Sequence, residues 1–176
     1  MIKLLTLEEQ DGFYADILNL LTISDDEFCP PLSARTSTVQ ADLSANKKSN
    51  DGVKGYFEEL KKQRFAVACE DGKLVGFVSF KENYTNDIIG DEDLPNIYIS
   101  TVLVAPEGRG KGVTSRMYEY LFKEYENSNV FTRTWSTNEA HIKILSGFGF
   151  EEMLVLENDR GNGIDTIYFK KRINDI

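Results

Sequence analysis

The most apolar stretch of the chain lies near its middle and leads into a glycine-rich turn. Residues 97–104 are largely apolar and β-branched, without proline or glycine, which predicts a central strand buried on both faces. Pro106 ends this strand because proline cannot donate to a ladder. From Val113 the apolar residues recur with a helical period. The pattern therefore predicts a strand, a turn and a helix over residues 97–121.

The N-terminal part of the chain has mainly helical patterns. Thr6 and Glu9 have the spacing of a capping box, which predicts a helix after a short strand. Residues 24–35 break that helix with three acidic residues and a Pro-Pro pair. Two further segments, 38–48 and 50–63, have the composition of helices.

Strand patterns dominate the rest of the chain. Asp71-Gly72 is the strongest short hairpin signal, and the segments on both sides of it alternate in polarity. Asn138 has the position of a helix cap. The remaining predictions are a loop at 83–94, strands at 65–70, 73–81, 130–136, 152–157 and 164–171, and a short helix after residue 138. The order predicts a single domain over 1–176 of the α/β class, with a mixed sheet and helices on both faces.

Composition narrows the function classes. At 176 residues the chain is long enough to bury one sizeable core. No apolar run has the length of a membrane span, and the N-terminus lacks the layout of a signal peptide, so we expect no membrane partner and a cytoplasmic location. A formal charge of −9 argues against nucleic acid as a partner and tolerates a cationic substrate.

The cysteines and the histidine do not predict a metal site. Cys29 and Cys69 have neither the spacing of metal ligands nor that of a disulfide framework, so we expect buried thiols. His141 is the only histidine, which excludes a histidine-clustered site.

The glycine-rich turn has the features of an anion site. Gly108, Gly110 and Gly112 alternate with Arg109 and Lys111 directly before the predicted helix. Free backbone N–H groups, the positive end of the helix dipole and two cations favour a bound phosphate.

Three glycine-rich phosphate loops can be compared with this turn. Arg116 stands where the dinucleotide pattern needs its third glycine, and Gly112 stands where the nucleotide P-loop needs Ser or Thr. A third pattern, Arg/Gln-x-x-Gly-x-Gly/Ala, fits residues 109–114 except at Thr114. With Val-Ala-Pro-Glu at 104–107, the stretch closely resembles motif A of the GNAT superfamily of acyl-CoA N-acyltransferases.

The resemblance implies acetyl-CoA as co-substrate. In that superfamily the loop wraps the pyrophosphate of coenzyme A, and the preceding strand bends away from its neighbour to bind the pantetheine arm. The implied cofactor-binding residues are Val102, Leu103, Val104, Arg109, Gly110, Lys111, Gly112, Val113, Thr114 and Asn138. Asn138 is included because residues 138–150 resemble motif B of the same superfamily, usually Asn-x-x-Ala-x-x-x-Tyr-x-x-x-Gly-Phe. His141 replaces the alanine of this motif and Leu145 replaces its tyrosine. The motif-bearing core spans 97–150.

The motifs leave the proton-transfer groups unassigned. No carboxylate lies between residues 97 and 104, and Leu145 replaces the tyrosine that is the usual acid of the superfamily. Tyr98 and Ser100 are the catalytic candidates, as holders of a water molecule. Other candidates are Tyr84, the acidic residues 25–27, Asp91 and Glu92, whereas His141 fits a packing role better.

Three functions follow as hypotheses. The first is an N-acetyltransferase that acts on the primary amine of a small molecule or peptide by direct attack in a ternary complex. The second is an acyl-CoA-binding module without catalysis, and the third is a nucleotide-binding regulatory domain. By the resemblance, residues 24–35 shape the acceptor pocket, although a solvated acidic loop explains them equally well. A homodimer is compatible with each hypothesis.

Overall fold

A seven-stranded mixed sheet forms the centre of the molecule. The computed structural model describes residues 1–44, 47–90 and 93–174. The strands are β1 (Ile2–Leu4), β2 (Arg64–Glu70), β3 (Lys73–Glu82), β4 (Asn96–Val104), β5 (Ser128–Trp135), β6 (Glu151–Leu156) and β7 (Thr166–Ile173). Their order is β1-β2-β3-β4-β5-β7-β6, in which β4 and β5 are parallel and the other neighbours antiparallel. The predicted mixed sheet is confirmed.

Helices cover both faces of this sheet. They are α1 (Leu7–Gln10), α2 (Tyr14–Ile23), α3 (Lys54–Leu60), α4 (Val113–Glu124) and α5 (Glu139–Gly147). Met117, Tyr118 and Leu145 belong to the core under α4 and α5, together with residues of the sheet. On the opposite face, Leu21 and Phe57 belong to the core under α2 and α3. Both cores follow from apolar side chains alternating between the two faces of the strands.

Several local predictions are confirmed. The side chains and backbones of Thr6 and Glu9 form the reciprocal bonds of a capping box at the start of α1. Such a cap contributes roughly 1 kcal/mol to the helix. Asp71 and Gly72 both have positive φ, 50° and 78°, in the turn between β2 and β3. Asn138 caps α5 by accepting a hydrogen bond from the His141 N–H.

The predicted helix over 38–48 is wrong. The described residues of this range, 38–44 and 47–48, have no regular secondary structure, and residues 45 and 46 lie outside the described chain. Local side-chain bonds compete with a helix there: Gln40 accepts from the Thr36 N–H at 2.7 Å, and Asp42 accepts from the Ser44 N–H at 2.8 Å. The predicted helix over 50–63 shortens to α3, since residues 50–53 form turns.

Nothing in the described residues resembles a membrane span, because no helix there is both long enough and apolar enough to cross a bilayer.

Candidate active site

The sheet opens between β4 and β5. These strands pair only from Asn96, opposite Asn129, to Ile99, opposite Thr132. Beyond Ile99, β4 remains paired with β3 and β5 remains paired with β7, but β4 and β5 are no longer paired with each other. The edge of residues 100–104 therefore faces a gap rather than a neighbouring strand.

A β-bulge marks the point of separation. Ser79 lies opposite Thr101 and Phe80 lies opposite Ile99, so Ser100 is the extra residue. A bulge increases the local twist and bends its strand, which explains why β4 turns away from β5 here. The bulge also directs Ser100 and Thr101 toward the same face of the sheet. Ser100 Oγ lies 2.6 Å from Gln63 Oε1, and Thr101 Oγ1 lies 2.7 Å from the Tyr56 hydroxyl.

A cavity of about 270 Å³ fills the gap between the strands. One wall is the open edge of β4 from Ser100 to Val104, and the opposite wall is the end of β5 from Thr132 to Trp135. The N-terminal part of α5 and the segment around Phe28 close it from the two faces of the sheet. The cavity thus reaches from one side of the sheet to the other, as a site for two substrates requires.

The glycine-rich turn lies at one end of the open edge. Gly110 and Gly112 have φ values of 71° and 70°, a backbone conformation that side chains with a Cβ rarely adopt. Gly112 is the N-cap of α4 and has no side chain to bond the first helical N–H groups. Within the described chain, the backbone N–H groups of Gly110, Lys111, Gly112 and Val113 donate to no acceptor. The turn therefore has the free donors and the positive helix end that a phosphate needs.

Arg109 lies between the open edge and the acidic segment Asp25–Glu27. Its Nε donates to the Val104 carbonyl oxygen at 3.1 Å, and its Nη2 donates to both oxygens of Glu27 at 3.0 and 2.9 Å. Both side chains are about half exposed, 44% and 50%, so the ion pair is weak. The acidic segment therefore contacts the predicted phosphate loop directly.

The cofactor-binding residues predicted from the sequence divide into two groups. Those that line the cavity are Val102, Leu103, Val104, Arg109, Thr114 and Asn138. Gly110, Lys111, Gly112 and Val113 do not line it; the Val113 side chain is 2% exposed and packs in the core, so only its backbone is available. Asn138 combines the two roles predicted for it, since it caps α5 and lies at the cavity wall.

The structure separates the two catalytic candidates. Ser100 lines the cavity, whereas Tyr98 is 2% exposed and packs with Ile89 and Phe131 below the cavity lining. Burial raises the pKa of Tyr98 above its ordinary value of 10, which makes proton transfer by this residue harder. The predicted catalytic role of Tyr98 therefore does not fit its position.

Ser100 is part of a buried polar chain. Its hydroxyl donates to Gln63 Oε1, and Gln63 Nε2 donates to Thr38 Oγ1 at 2.8 Å. Ser79 Oγ lies 2.9 Å from Ser100 Oγ and can donate to it. Because the single Ser100 proton is used by Gln63, the hydroxyl offers the cavity only an acceptor lone pair.

The other proton-transfer candidates differ in position. Glu27 lines the cavity, and it is the only carboxylate among the described residues that does so. Asp25 accepts from Ser33, Asp26 pairs with Lys48, and Tyr84 packs against Tyr98 outside the cavity lining. Asp91 and Glu92 lie outside the described residues.

His141 lies both at the cavity wall and against a buried side chain. It lines the cavity, and its Nε2 lies 2.9 Å from the Tyr118 hydroxyl. Burial lowers the pKa of His141 from 6.5 to about 4, so the imidazole is neutral near pH 7. The neighbouring Leu145 is fully buried in the core, in keeping with the absence of a tyrosine there.

Sequence reasoning missed two charged cavity residues, Arg133 and Arg160. Arg133 stands in β5, and a charge inside a predicted central strand was an available signal. Arg160 lies in the turn between β6 and β7, which the sequence predicts only as a loop, and no local pattern distinguishes it. Arg35, noted in the segment 24–35, joins them at the cavity.

Comparisons with known proteins agree with this fold. The model of the acetyltransferase (GNAT) family matches residues 30–150. Among curated proteins, no sequence matches the chain significantly.

Solved structures share the architecture at low identity. A ribosomal-protein-alanine N-acetyltransferase from Brucella melitensis has a TM-score of 0.66 at 16% identity, over 98% of this chain and 99% of that chain. The yncA protein from Salmonella typhimurium, whose structure contains acetyl-CoA, has a TM-score of 0.66 at 14% identity, over 100% and 95%. The aminoglycoside 6'-N-acetyltransferase from Enterococcus faecium has a TM-score of 0.67 at 14% identity, over 100% and 98%. At these identities the likeness concerns the fold.

Proposed function

The chain belongs to the acetyltransferase (GNAT) family, and from this premise we propose that it transfers an acetyl group from acetyl-CoA to a primary amine of a small molecule or peptide. The observation that carries the proposal is the continuity of the site. The open edge of β4 runs directly into the glycine-rich turn, so one extended ligand can contact both. Acetyl-CoA has this shape, with a pyrophosphate at one end of a long arm and a thioester at the other.

The open edge can polarise a thioester. Val104 directs its carbonyl oxygen to Arg109, and Ala105 donates its N–H to the Val75 carbonyl on the β3 side. Because backbone groups alternate along a strand, the N–H of Val102 also points to the open side. A fixed N–H aimed at a carbonyl oxygen stabilises the negative charge that develops during acyl transfer. We assign this role to the Val102 backbone.

Bound acetyl-CoA supplies the acetyl group: the amine nitrogen bonds to the thioester carbon, the carbon–sulfur bond breaks, the amine loses a proton, and coenzyme A leaves as the thiol. The amine must reach the site in its unprotonated form, since an alkyl ammonium has a pKa of roughly 10.4. The acceptor lone pair of Ser100 can orient this amine or a water molecule next to it. Glu27 can accept the proton if it separates from Arg109.

Calorimetry with acetyl-CoA tests the cofactor assignment. We expect Arg109→Ala to weaken acetyl-CoA binding at least tenfold, because a charged hydrogen bond contributes roughly 1.5–3 kcal/mol. Arg172→Ala is the matched control, since Arg172 is exposed and pairs with Asp93 away from the cavity. Equal affinity of the wild type and Arg109→Ala would contradict the assignment of this loop to phosphate binding.

Release of free thiol in the presence of amines tests catalysis. The alternative is an acyl-CoA-binding module without catalysis. The buried Leu145 favours it, as does the presence of one carboxylate, Glu27, among the described residues that line the cavity. Binding of acetyl-CoA without amine-dependent thiol release would support that alternative. Tight binding of ATP or NAD in its place would point to the nucleotide-binding hypothesis.

A further inference from the structure

Three arginines bring their positive charges to one part of the cavity. Arg35 comes from the chain after the 3-10 turn Leu32–Ala34, Arg133 from β5, and Arg160 from the turn between β6 and β7. Arg160 is 3% exposed, and the other two are partly buried. Residues from three separate segments thus converge on the same space.

Neutral groups are the bonding partners of all three. Arg35 donates to the carbonyl oxygens of Cys29 and Pro30, Arg133 to the Gln40 carbonyl and the Tyr168 hydroxyl, and Arg160 to the Cys29 carbonyl and Thr166 Oγ1. Among the described residues, none of the three is in an ion pair. Asp159 contacts Thr166 Oγ1 at 2.5 Å and so reaches Arg160 only through that hydroxyl. Each guanidinium has five N–H donors and uses at most three of them in these bonds.

Such a cluster costs free energy unless an anion joins it. Burial, followed by the charges of Arg35 and Arg133, lowers the pKa of Arg160 to about 9. Buried charges of like sign are unfavourable when no opposite charge compensates them. Asp159, behind the Thr166 hydroxyl, is one carboxylate near three cations, and it forms no ion pair with any of them. A ligand with a negative group would therefore supply the charge that the cavity side of the cluster lacks.

Aromatic rings hold two of the arginines in place. The Arg35 guanidinium lies 5.5 Å from the centre of the Phe28 ring, and that of Arg160 lies 5.7 Å from the Trp135 ring. These rings also line the cavity and lie 5.8 Å from each other. The guanidinium groups are therefore preorganised and need little rearrangement to bind a planar anion.

We propose that the acceptor is a small amine that carries a carboxylate, an amino acid or a close analogue. The inference rests on the proposed function, because it names the acceptor of that same reaction. The carboxylate would bind Arg35, Arg133 and Arg160, whose forks match it in geometry, while the amine points to the open edge of β4. The cavity of about 270 Å³ must also hold the thioester end of acetyl-CoA, which leaves room only for a small acceptor. Three cations also disfavour polyamines and other cationic acceptors, although the chain as a whole is acidic.

Paired acceptors test the proposal. Thiol release with acetyl-CoA is measured for a panel of α- and ω-amino acids, each beside its own amide and its own aminophosphonate analogue. We expect at least one amino acid to exceed its amide tenfold or more in kcat/KM. An α-amino amide loses its ammonium proton more readily than the acid does, so such a preference cannot come from amine basicity. Equal rates for acids and amides, or higher rates for aminophosphonates, would overturn the carboxylate assignment.

Variants of the three arginines test whether these side chains cause the preference for acids over amides. We expect Arg35→Gln, Arg133→Gln and Arg160→Gln each to lower kcat/KM for the preferred amino acid tenfold or more, with acetyl-CoA affinity changed less than twofold. Arg160→Lys keeps the charge without the fork and should lie between the wild type and Arg160→Gln. Arg172→Gln is the exposed control and should match the wild type. Thermal melts by circular dichroism identify any variant that fails to fold, which is then excluded.

A binding experiment separates this proposal from the proposed function. N-acetyl amino acids and N-acetyl amino amides are titrated by calorimetry into the wild type saturated with coenzyme A. We expect the N-acetyl amino acid of the preferred series to bind at least tenfold more tightly. If coenzyme A binds and no acid binds better than its amide, the acceptor proposal fails and the cofactor assignment stands. If neither coenzyme A nor acetyl-CoA binds, the proposed function is wrong, and the acceptor proposal that rests on it falls with it.

Discussion

Arg109 is held by two acceptors before any phosphate reaches it. The Val104 carbonyl oxygen accepts from its Nε, and both carboxylate oxygens of Glu27 accept from its Nη2. The first contact positions the guanidinium at the end of the open strand edge. The second contact competes with a phosphate for the same donors. The pair therefore lowers the affinity of the loop for an anion by a small amount, because both side chains are about half exposed.

Substitution of Glu27 should release Arg109 for the ligand. We expect Glu27→Gln to tighten acetyl-CoA binding about two- to fivefold, since an exposed ion pair contributes roughly 0.2–1 kcal/mol. Calorimetry measures the change. Asp26→Asn is the matched control, because Asp26 is in the same acidic segment but pairs with Lys48. Weaker binding by Glu27→Gln, or the same gain in Asp26→Asn, would contradict competition at Arg109.

The contact between α4 and α5 joins two helices through one buried polar pair. Tyr118 of α4 and His141 of α5 meet at 2.9 Å inside an aromatic cluster that includes Phe122 and Phe148. Burial raises the pKa of Tyr118 above its ordinary value and lowers that of His141 to about 4. Both groups are therefore neutral through the physiological range, and the packing of α5 at the cavity depends on a neutral imidazole.

The stability of the protein should fall as His141 is forced to take up a proton. The folded pKa of about 4 lies below the unfolded value of 6.5, so the unfolded chain binds the proton first as the pH drops. His141 therefore lowers the free energy of unfolding between pH 6.5 and 4, by roughly 3 kcal/mol in total.

Urea unfolding at pH 7 and pH 4.5 measures this effect. Carboxylates also titrate in this range, so the difference between the wild type and His141→Gln isolates the histidine. We expect the wild type to lose more stability than the variant, whose amide can still bond the Tyr118 hydroxyl but does not titrate. Equal losses in the two proteins would show that His141 titrates normally in the folded state.

At the scale of the whole molecule, the sheet divides into two parts that share one cavity. The part from β1 to β4 carries the open edge, and the part of β5, β7 and β6 carries Arg133 and Trp135. Both cysteines lie outside the cavity lining. Burial raises the pKa of Cys69 in β2, which lowers its fraction of reactive thiolate. Cys29 has its Sγ directed to the Arg160 carbonyl oxygen at 3.9 Å. This arrangement favours direct attack of the amine on the thioester.

Removal of both cysteines should therefore leave acetyl transfer intact. We expect Cys29→Ala/Cys69→Ala to keep kcat within about threefold of the wild type, because neither thiol lines the cavity in which a nucleophile would have to meet the thioester. Initial rates at varied acetyl-CoA and amine should give intersecting lines, as a ternary complex requires. Parallel lines, or an acetylated cysteine found by mass spectrometry, would contradict direct transfer.

Sequence reasoning identified the elements that depend on local chemistry. The capping box at Thr6, the hairpin turn at Asp71-Gly72 and the cap at Asn138 each need only a few neighbouring residues, and the structure confirms all three. The same holds for the strand, glycine turn and helix over 97–121, because the spacing of apolar residues and glycines there predicts each element from local sequence. The helix predicted over 38–48 was wrong, because polar side chains there accept hydrogen bonds from nearby backbone N–H groups and stabilise an irregular conformation.

Only the tertiary structure decided which side chains face the cavity. Ser100 lines it and Tyr98 does not, because β4 still pairs with β5 at Tyr98 and has separated from β5 at Ser100. The bulge at Ser100 accompanies this separation, and bulges have no clear local signature. Arg35, Arg133 and Arg160 are separated by up to 125 residues in the chain, so no periodicity could bring them together. Their convergence depends on the separation of β4 from β5, which is a property of strand pairing across the whole sheet. The sequence determined the loop that fits a phosphate, and the fold determined the charge of the cavity beside it.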